Sequence, residues 1–387
     1  RALHSAGYRV VVAEPIRWHV CKPSRAVTAS NRVPAPNTSQ PDYLDALVDI
    51  IQRESVSLVL PVSEEALHVA ALEQRLPHNV TLLCPPALEL HALHDKFQFA
   101  ARAGEMGLPV PRTFHAADPA AEAMARREPY VVKPVAGCSG IGLSLCDAGD
   151  RLPDQRRDLL VQQRIEGRHV STLSLLVGGR SLATVCYEGT VFAGTVAVCF
   201  QRVDDAPAVR DWVDSFCRDL DYTGFIAFDF IVDHDGVPQA IECNPRVTSG
   251  VHFLDEPALG RALVNLPAAE PVPLREDQHR FQWAYSTLTE AYAAFFRPRE
   301  FARRLRQMVA ARDVVWSLRD PLPFLLMTPM SWEILWPAMT SDVSMGEATQ
   351  RDIAWLSGTA PPSGAIPATV ALDAVSPVSV PGGKNDS

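Results

Sequence analysis

The chain is short of the features that mark several function classes. It has no CxxC pair and no Cys/His spacing of a zinc site. Its eight cysteines (Cys21, Cys84, Cys138, Cys146, Cys186, Cys199, Cys217 and Cys243) therefore read as buried thiols of a reducing, cytoplasmic compartment. No domain carries a dense basic excess and the net charge is -9, which argues against nucleic acid as a partner. It has no GxGxxG fingerprint, no Walker A loop and no internal repeat. The strongest membrane candidate, Pro321 to Trp336, is too short to span a bilayer and holds two further prolines and Glu333. No secretory leader opens the chain, and residue 1 is Arg rather than Met. Because an α/β domain normally places a strand before a helix-like run such as Arg1–Gly7, further N-terminal residues are expected.

What is present reads as a globular chain: 387 residues, 47% hydrophobic and 21% charged. That length implies two or three domains. Residues 1–90 alternate strand signals (Tyr8–Ala13, Ser57–Pro61, Val80–Leu83) with helix signals (Pro41–Glu54, Glu64–Leu76), the pattern of an open, Rossmann-like parallel sheet. Residues 91–160 begin with a helix expected from Glu89 to Met106, ended by Gly107 and Pro109. From Tyr130 the pattern turns α+β, with strands at Tyr130–Lys133, Leu159–Gln163, Ser171–Val177, Ala183–Val191, Phe225–Val232 and Gln239–Glu242, and a helix over 207–220. Residues 161–266 end at a linker-like Pro267–Pro273. Residues 267–357 read as a mainly helical extension, and 358–387, rich in Pro, Ser, Gly and Ala, as a disordered tail.

Two segments carry chemistry. The first runs from Val131 to Gly142: a strand ending in Lys133, then a loop with Gly137, Ser139, Gly140 and Gly142. Glycines let backbone N–H groups reach phosphate oxygens, and the lysine offsets their charge. Taken alone, the segment also fits a glycine-rich hairpin with an exposed lysine. The second is the apolar strand Phe225–Val232, interrupted by Asp229, then the turn Asp233–Gly236 and a return strand ending at Glu242, with Asn244 and Arg246 beyond it. A hairpin there places Asp229 beside Glu242. Two carboxylates and an amide oxygen suit Mg²⁺ (or Mn²⁺), and the guanidinium suits phosphate.

These residues resemble the ATP-grasp superfamily, in its carboxylate–amine ligase and carbamoyl-phosphate-synthetase-like branch. The resemblance rests on His94-Asp95-Lys96, Val132-Lys-Pro with the following glycine loop, Val161-Gln-Gln-Arg-Ile-Glu-Gly167, and Phe228-Asp-Phe with Ile241-Glu-Cys-Asn-Pro-Arg246, in that order over roughly 90–255. It implies a Rossmann-like pre-grasp domain (1–90), two grasp subdomains (91–160 and 161–266) and the extension. Lys96 and Lys133 would contact ATP phosphates under the flap of Gly137, Ser139, Gly140 and Gly142. Gln162, Gln163, Arg164 and Ile165 would form the adenine hinge. Asp229, Glu242 and Asn244 would hold Mg²⁺, while Arg246, with Lys133, would stabilise the reacting phosphoryl group. Gly167 is followed by Arg168, His169 and Val170, where many relatives have a ribose-binding glutamate, so either Glu166 supplies that contact or this chain departs from the pattern there. His169 and Arg202 read as surface residues.

The resemblance further implies an ADP-forming ligase that activates a small-molecule carboxylate as an acyl phosphate for an amine. Two other readings remain at this point: carboxyphosphate chemistry on bicarbonate, and a nucleotide-binding regulatory module without turnover. Specificity would lie in Val247–Leu254, the loop around Thr190–Arg202 and the extension. A homodimer fits the extension; stable membrane insertion does not.

Overall fold

The computed structural model describes residues 1–137, 140, 142–152, 158–332 and 352–353. The N-terminal region comprises helix α1 (Ala2–Ser5), strands β1 (Val11–Glu14) and β2 (Ala29–Arg32), helix α2 (Gln40–Arg53), strand β3 (Leu58–Val59), helix α3 (Ala66–Val69) with a 3₁₀ continuation (Ala70–Arg75), and strand β4 (Thr81–Leu82). Helix α2 starts where the Ser39 hydroxyl accepts the Asp42 N–H, with Pro41 in its first turn. Its apolar face, including Leu44, Leu47 and Ile51, packs with Val33, Val69 and Leu72. β1 pairs with β2 and β3 with β4, both in parallel. Among the described residues these are two separate two-stranded sheets, not the single open sheet expected.

The single helix expected from Glu89 to Met106 is two, α4 (Ala87–His94) and α5 (Lys96–Glu105). Asp95 divides them. Its backbone is extended, and its carboxylate accepts the N–H groups of Phe97 and Gln98, each at 2.9 Å. This makes Lys96 the first residue of a new helix.

Next come β5 (Thr113–His115), α6 (Pro119–Ala125), β6 (Tyr130–Pro134), β7 (Ser144–Cys146) and β8 (Leu159–Gln163), the strands forming a sheet in the order β5-β8-β6-β7. The elements that follow include β9 (Arg168–Val177), β10 (Arg180–Ala193), β11 (Val196–Arg202), α7 (Pro207–Arg218), β12 (Gly224–Val232), β13 (Pro238–Asn244), α8 (Glu256–Val264), β14 (Arg280–Gln282), α9 (Ala284–Ala293), α10 (Pro298–Ala310) and β15 (Arg312–Asp313), then two short helices, α11 (Leu322–Leu325) and α12 (Met327–Met330). Their strands make a seven-stranded sheet, β13-β12-β9-β10-β11-β14-β15. The loop expected around Thr190–Arg202 is therefore mostly ladder, the β10–β11 hairpin.

Both faces of this sheet are buried. One carries Phe228 and Phe230 against Phe99, Trp212 and Phe216, with Trp212 stacked on Phe216 at 5.2 Å between ring centroids. On the other, Leu173, Val185, Phe200 and Phe225 pack with Phe253 and Phe281. Cys186, Cys199, Cys217 and Cys243 are buried free thiols, but Cys84 and Cys146 are half-buried and Cys21 is exposed.

The extension differs from expectation in three ways. Pro267–Pro273 is no free linker, since Leu266 and Val272 are buried and the Val272 N–H donates to Leu182 O at 2.8 Å. The extension is not simply helical either, because β14 pairs with β11 and β15 with β14. Lastly, α10 buries none of its residues, and Phe296 just before it is 93% exposed. Asp320 ties the extension back to the N-terminal region, accepting from Arg1 Nε (3.2 Å), Ser24 Oγ (2.6 Å) and Arg25 N (3.0 Å). Among the described residues no helix is long and apolar enough to cross a membrane. The tail, 358–387, and the end of the Pro321–Trp336 stretch lie outside the described residues.

Candidate active site

Strand β6 delivers Lys133 into a buried position between the two larger sheets. Its ammonium donates to Gln162 Oε1 on β8 (2.8 Å) and to Ile241 O on β13 (2.9 Å). Burial pulls its pKa down to about 8, with the Glu242 charge opposing the shift and that of Lys96 reinforcing it. Lys96 is buried too. It donates to Gly137 O at 2.6 Å and stands 3.6 Å from Glu242 Oε1. The two lysines predicted from sequence motifs 37 positions apart thus converge on the same acidic strand end.

The loop after β6 needs glycine where it turns back. Gly140 has φ +68°, and a Cβ there would lie 2.9 Å from Thr195 Cγ2, at the tip of the β10–β11 hairpin. Gly142 has φ +74° and leans on Pro134, while Gly137 has φ +128° and open space around it. Ser139 lies outside the described residues.

The expected hinge is partly committed to structure. Gln162 is buried in β8, accepting from Lys133 and donating through Nε2 to Thr113 Oγ1 (2.8 Å). The N–H groups of Gln163 and Arg164 donate to Arg112 O and Pro129 O (2.8 and 3.1 Å). Ile165 and the exposed Glu166 follow on the connection to β9. That connection passes so close to β12 that a Cβ on Gly167 would lie 2.1 Å from Val232 O. Arg168 pairs with Glu188 at 2.7 Å, and His169 is exposed on β9.

The β12–β13 hairpin forms with Asp229 opposite Glu242. Asp229 accepts from Ser171 Oγ (2.5 Å) and from Asn244 Nδ2 (3.0 Å). Burial, then the like charge of Glu242, pushes its carboxyl up to about 6. Two carboxylates crowded at a strand end, one of them resisting ionisation, are a donor set that a divalent cation would satisfy. Asn244 departs from the expected geometry: its amide oxygen accepts from Arg246 Nη2 (3.1 Å) rather than facing the carboxylates. Among the described residues no cluster of three or more His, Cys, Asp or Glu side chains is set to hold a metal.

Arg246 brings in a residue that sequence reasoning missed. Its Nε donates to Glu64 Oε1 at 2.6 Å, and Glu64, just before α3, is completely buried. Burial alone would raise the Glu64 carboxyl, but the charges of Arg246 and His94 outweigh it and hold the group below its ordinary value. His94 is buried and held down to about 4, mainly by that burial. Arg202, read from sequence as a surface residue, has only 9% of its side chain exposed. It is bound to Asp204 at 2.6 Å and to Arg275 O, which makes it a structural cross-link of the β11 end.

Residues 93–250 match the family model of the ATP-grasp domain. Three solved structures of similar fold illustrate the likeness. The biotin carboxylase domain of 2-oxoglutarate carboxylase from Hydrogenobacter thermophilus, in complex with MgADP, ADP and bicarbonate, superposes with a TM-score of 0.57 at 17% identity, over 72% of this chain and 68% of that one. N5-carboxyaminoimidazole synthetase from Staphylococcus aureus, complexed with ADP, gives 0.54 at 14% identity, over 70% and 76%. An L-amino acid ligase from Bacillus licheniformis gives 0.51 at 17%, over 68% and 70%.

Proposed function

We propose, from a chain that carries an ATP-grasp domain at residues 93–250, that the protein is an ADP-forming ligase joining a small-molecule carboxylate to an amine. The observation that carries this reading is the convergence of Lys96 and Lys133 on the Asp229–Glu242 strand ends, with Lys96 also bonded to Gly137 O. A carboxylate cannot expel oxide, so it must first be activated. Its oxygen attacks the γ-phosphorus of ATP, the β–γ bridging P–O bond breaks, and ADP leaves. The amine then attacks the acyl carbon, and inorganic phosphate departs as the carbonyl reforms. Lys96 and Lys133 supply positive charge along the phosphates, and Arg246 meets the transferring group. Asp229 and Glu242 would hold Mg²⁺, with Asn244 joining them when its amide end turns over; the ion would neutralise charge on the phosphates. Gln162 acts through Lys133, whose ammonium it orients. Ile165 and Glu166 would face the adenosine, and the loop with Gly137, Gly140 and Gly142 would cover the phosphates. In this reading residues 1–90 are the pre-grasp domain, 91–160 and 161–266 the two grasp subdomains, and the extension a rim or dimer element.

The test is ADP release with single amino acids and small carboxylic acids, each with and without an added amine. Acid-dependent ADP and phosphate are expected; AMP and pyrophosphate would overturn the acyl-phosphate route. A second reading, carboxyphosphate formation from bicarbonate, draws on the MgADP and bicarbonate of the Hydrogenobacter structure. ADP release that depends on bicarbonate alone would select it.

A further inference from the structure

The guanidinium of Arg246 is gripped from three directions. Glu64 Oε1 accepts from Nε at 2.6 Å and is ion-paired with Nη2; Asn244 Oδ1 accepts from Nη2 at 3.1 Å; and Val247 O accepts from Nη1 at 3.2 Å. Asn244 and Val247 are Arg246's neighbours in the chain. Glu64 is not: it comes from the N-terminal region, 182 residues away in sequence and outside the matched span 93–250. It is wholly buried. Its second oxygen has no hydrogen-bond partner among the described residues and lies 3.8 Å from His94 Nε2. A carboxylate in that position cannot find water, so its placement is tied to the arginine. The arginine in turn gives up the rotamers that a long side chain would otherwise sample.

We infer that Glu64 is the positioning residue for Arg246, holding the guanidinium fork at the end of β13 so that it meets the transferring phosphoryl group already oriented. This rests on the ATP chemistry proposed above. It also makes the N-terminal region part of the reaction centre. Preset orientation matters because a charge that must first be ordered stabilises the transition state less.

The test compares wild type, Glu64→Gln, Arg246→Gln and the double variant, using ADP release with the most active acid of the screen. Glu64→Gln keeps the shape and removes the charge. It is expected to lower kcat by roughly 10- to 100-fold while leaving KM for ATP within about twofold. On the Arg246→Gln background the same change should alter kcat by less than about twofold. Equal losses on both backgrounds would show a merely structural Glu64 and overturn the inference. A second readout is independent of turnover. In protein labelled with ¹⁵N-arginine, the Arg246 Nε–H signal should be slow to exchange in wild type and rapid in Glu64→Ala, which removes the acceptor. An unchanged signal overturns the inference whatever the substrate. If wild type turns over no acid, the proposed function fails, and the arginine signal alone then decides whether Glu64 positions Arg246.

Discussion

Lys133→Met removes one charge from the centre of the site with little change in side-chain length. The Lys133 ammonium has three N–H donors, and two are already given to Gln162 Oε1 at 2.8 Å and Ile241 O at 2.9 Å. One donor is therefore left for a phosphate oxygen, so the loss should correspond to a single charge-assisted hydrogen bond. Such a bond contributes ~1.5–3 kcal/mol. At about 1.4 kcal/mol per factor of ten, kcat/KM for ATP should fall roughly 10- to 150-fold. The fold also suffers, because methionine strands two buried acceptors at ~1–3 kcal/mol each. Relief of a desolvated ammonium offsets part of that, as the pKa pulled down to about 8 shows the buried charge to be disfavoured. The assay is steady-state ADP release over an ATP titration, beside urea unfolding monitored by tryptophan fluorescence. A variant that unfolds earlier but retains kcat/KM for ATP within about twofold would refute the one-donor argument and reduce Lys133 to a strut.

Three further outcomes are expected. Gly140→Ala should weaken ATP binding without unfolding the domain, because φ +68° disfavours a side chain and the new methyl meets Thr195; unchanged affinity by calorimetry would refute it. Glu242→Gln and Asn244→Ala should each abolish measurable turnover with unaltered circular dichroism, and Mg²⁺ removal by EDTA should do the same to wild type; near-normal rates in both variants would displace the metal from this hairpin. Burial would raise the Asp320 carboxyl, but the hydrogen bonds from Ser24, Arg25 and Arg1 outweigh it and hold the group below its ordinary value. The native state thus binds fewer protons than the unfolded chain, so this contribution is fully present above the ordinary carboxyl range of the unfolded chain and is lost as pH falls through the lower folded-state value. Wild type should exceed Asp320→Asn in stability at neutral pH and converge with it in acid; a constant difference on pH titration of urea midpoints would contradict this.

The legible parts of the molecule were those in which local chemistry and final structure agree. β8 was bounded correctly, since Leu159–Gln163 is an apolar run that the fold buries between β5 and β6. The β12–β13 hairpin followed from the Asp233–Gly236 turn, but its register did not: Asp229 comes opposite Glu242 only through a register shift between Asp229 and Phe230. β2 was not legible: Ala29-Ser-Asn-Arg32 has no β-branched or aromatic residue, and only the partner β1 makes it a strand. The break between α4 and α5 was hidden because helical spacing continues on either side of Asp95, whose capping role depends on a backbone turn rather than on composition. Glu64 carried no local signal at all. Its meaning comes from Arg246, and a pairing across 182 residues has no signature in the spacing of either one. The extension misled for a related reason, since β14 and β15 are too short to register as strands without β11 beside them.

The way the large sheet ends has a consequence for solubility. Without β14, the strand Val196-Ala-Val-Cys-Phe-Gln-Arg202 would be an open margin, a row of unpaired N–H and C=O groups on an apolar run with no proline. The extension covers that margin and moves the end of the sheet out to Arg312–Asp313, two charged residues long. So short and charged a terminus offers little for another chain to add to. Trimming the chain after Pro273 to isolate the catalytic unit would leave every site residue in place and still yield a self-associating protein, with β11 as the adhesive surface.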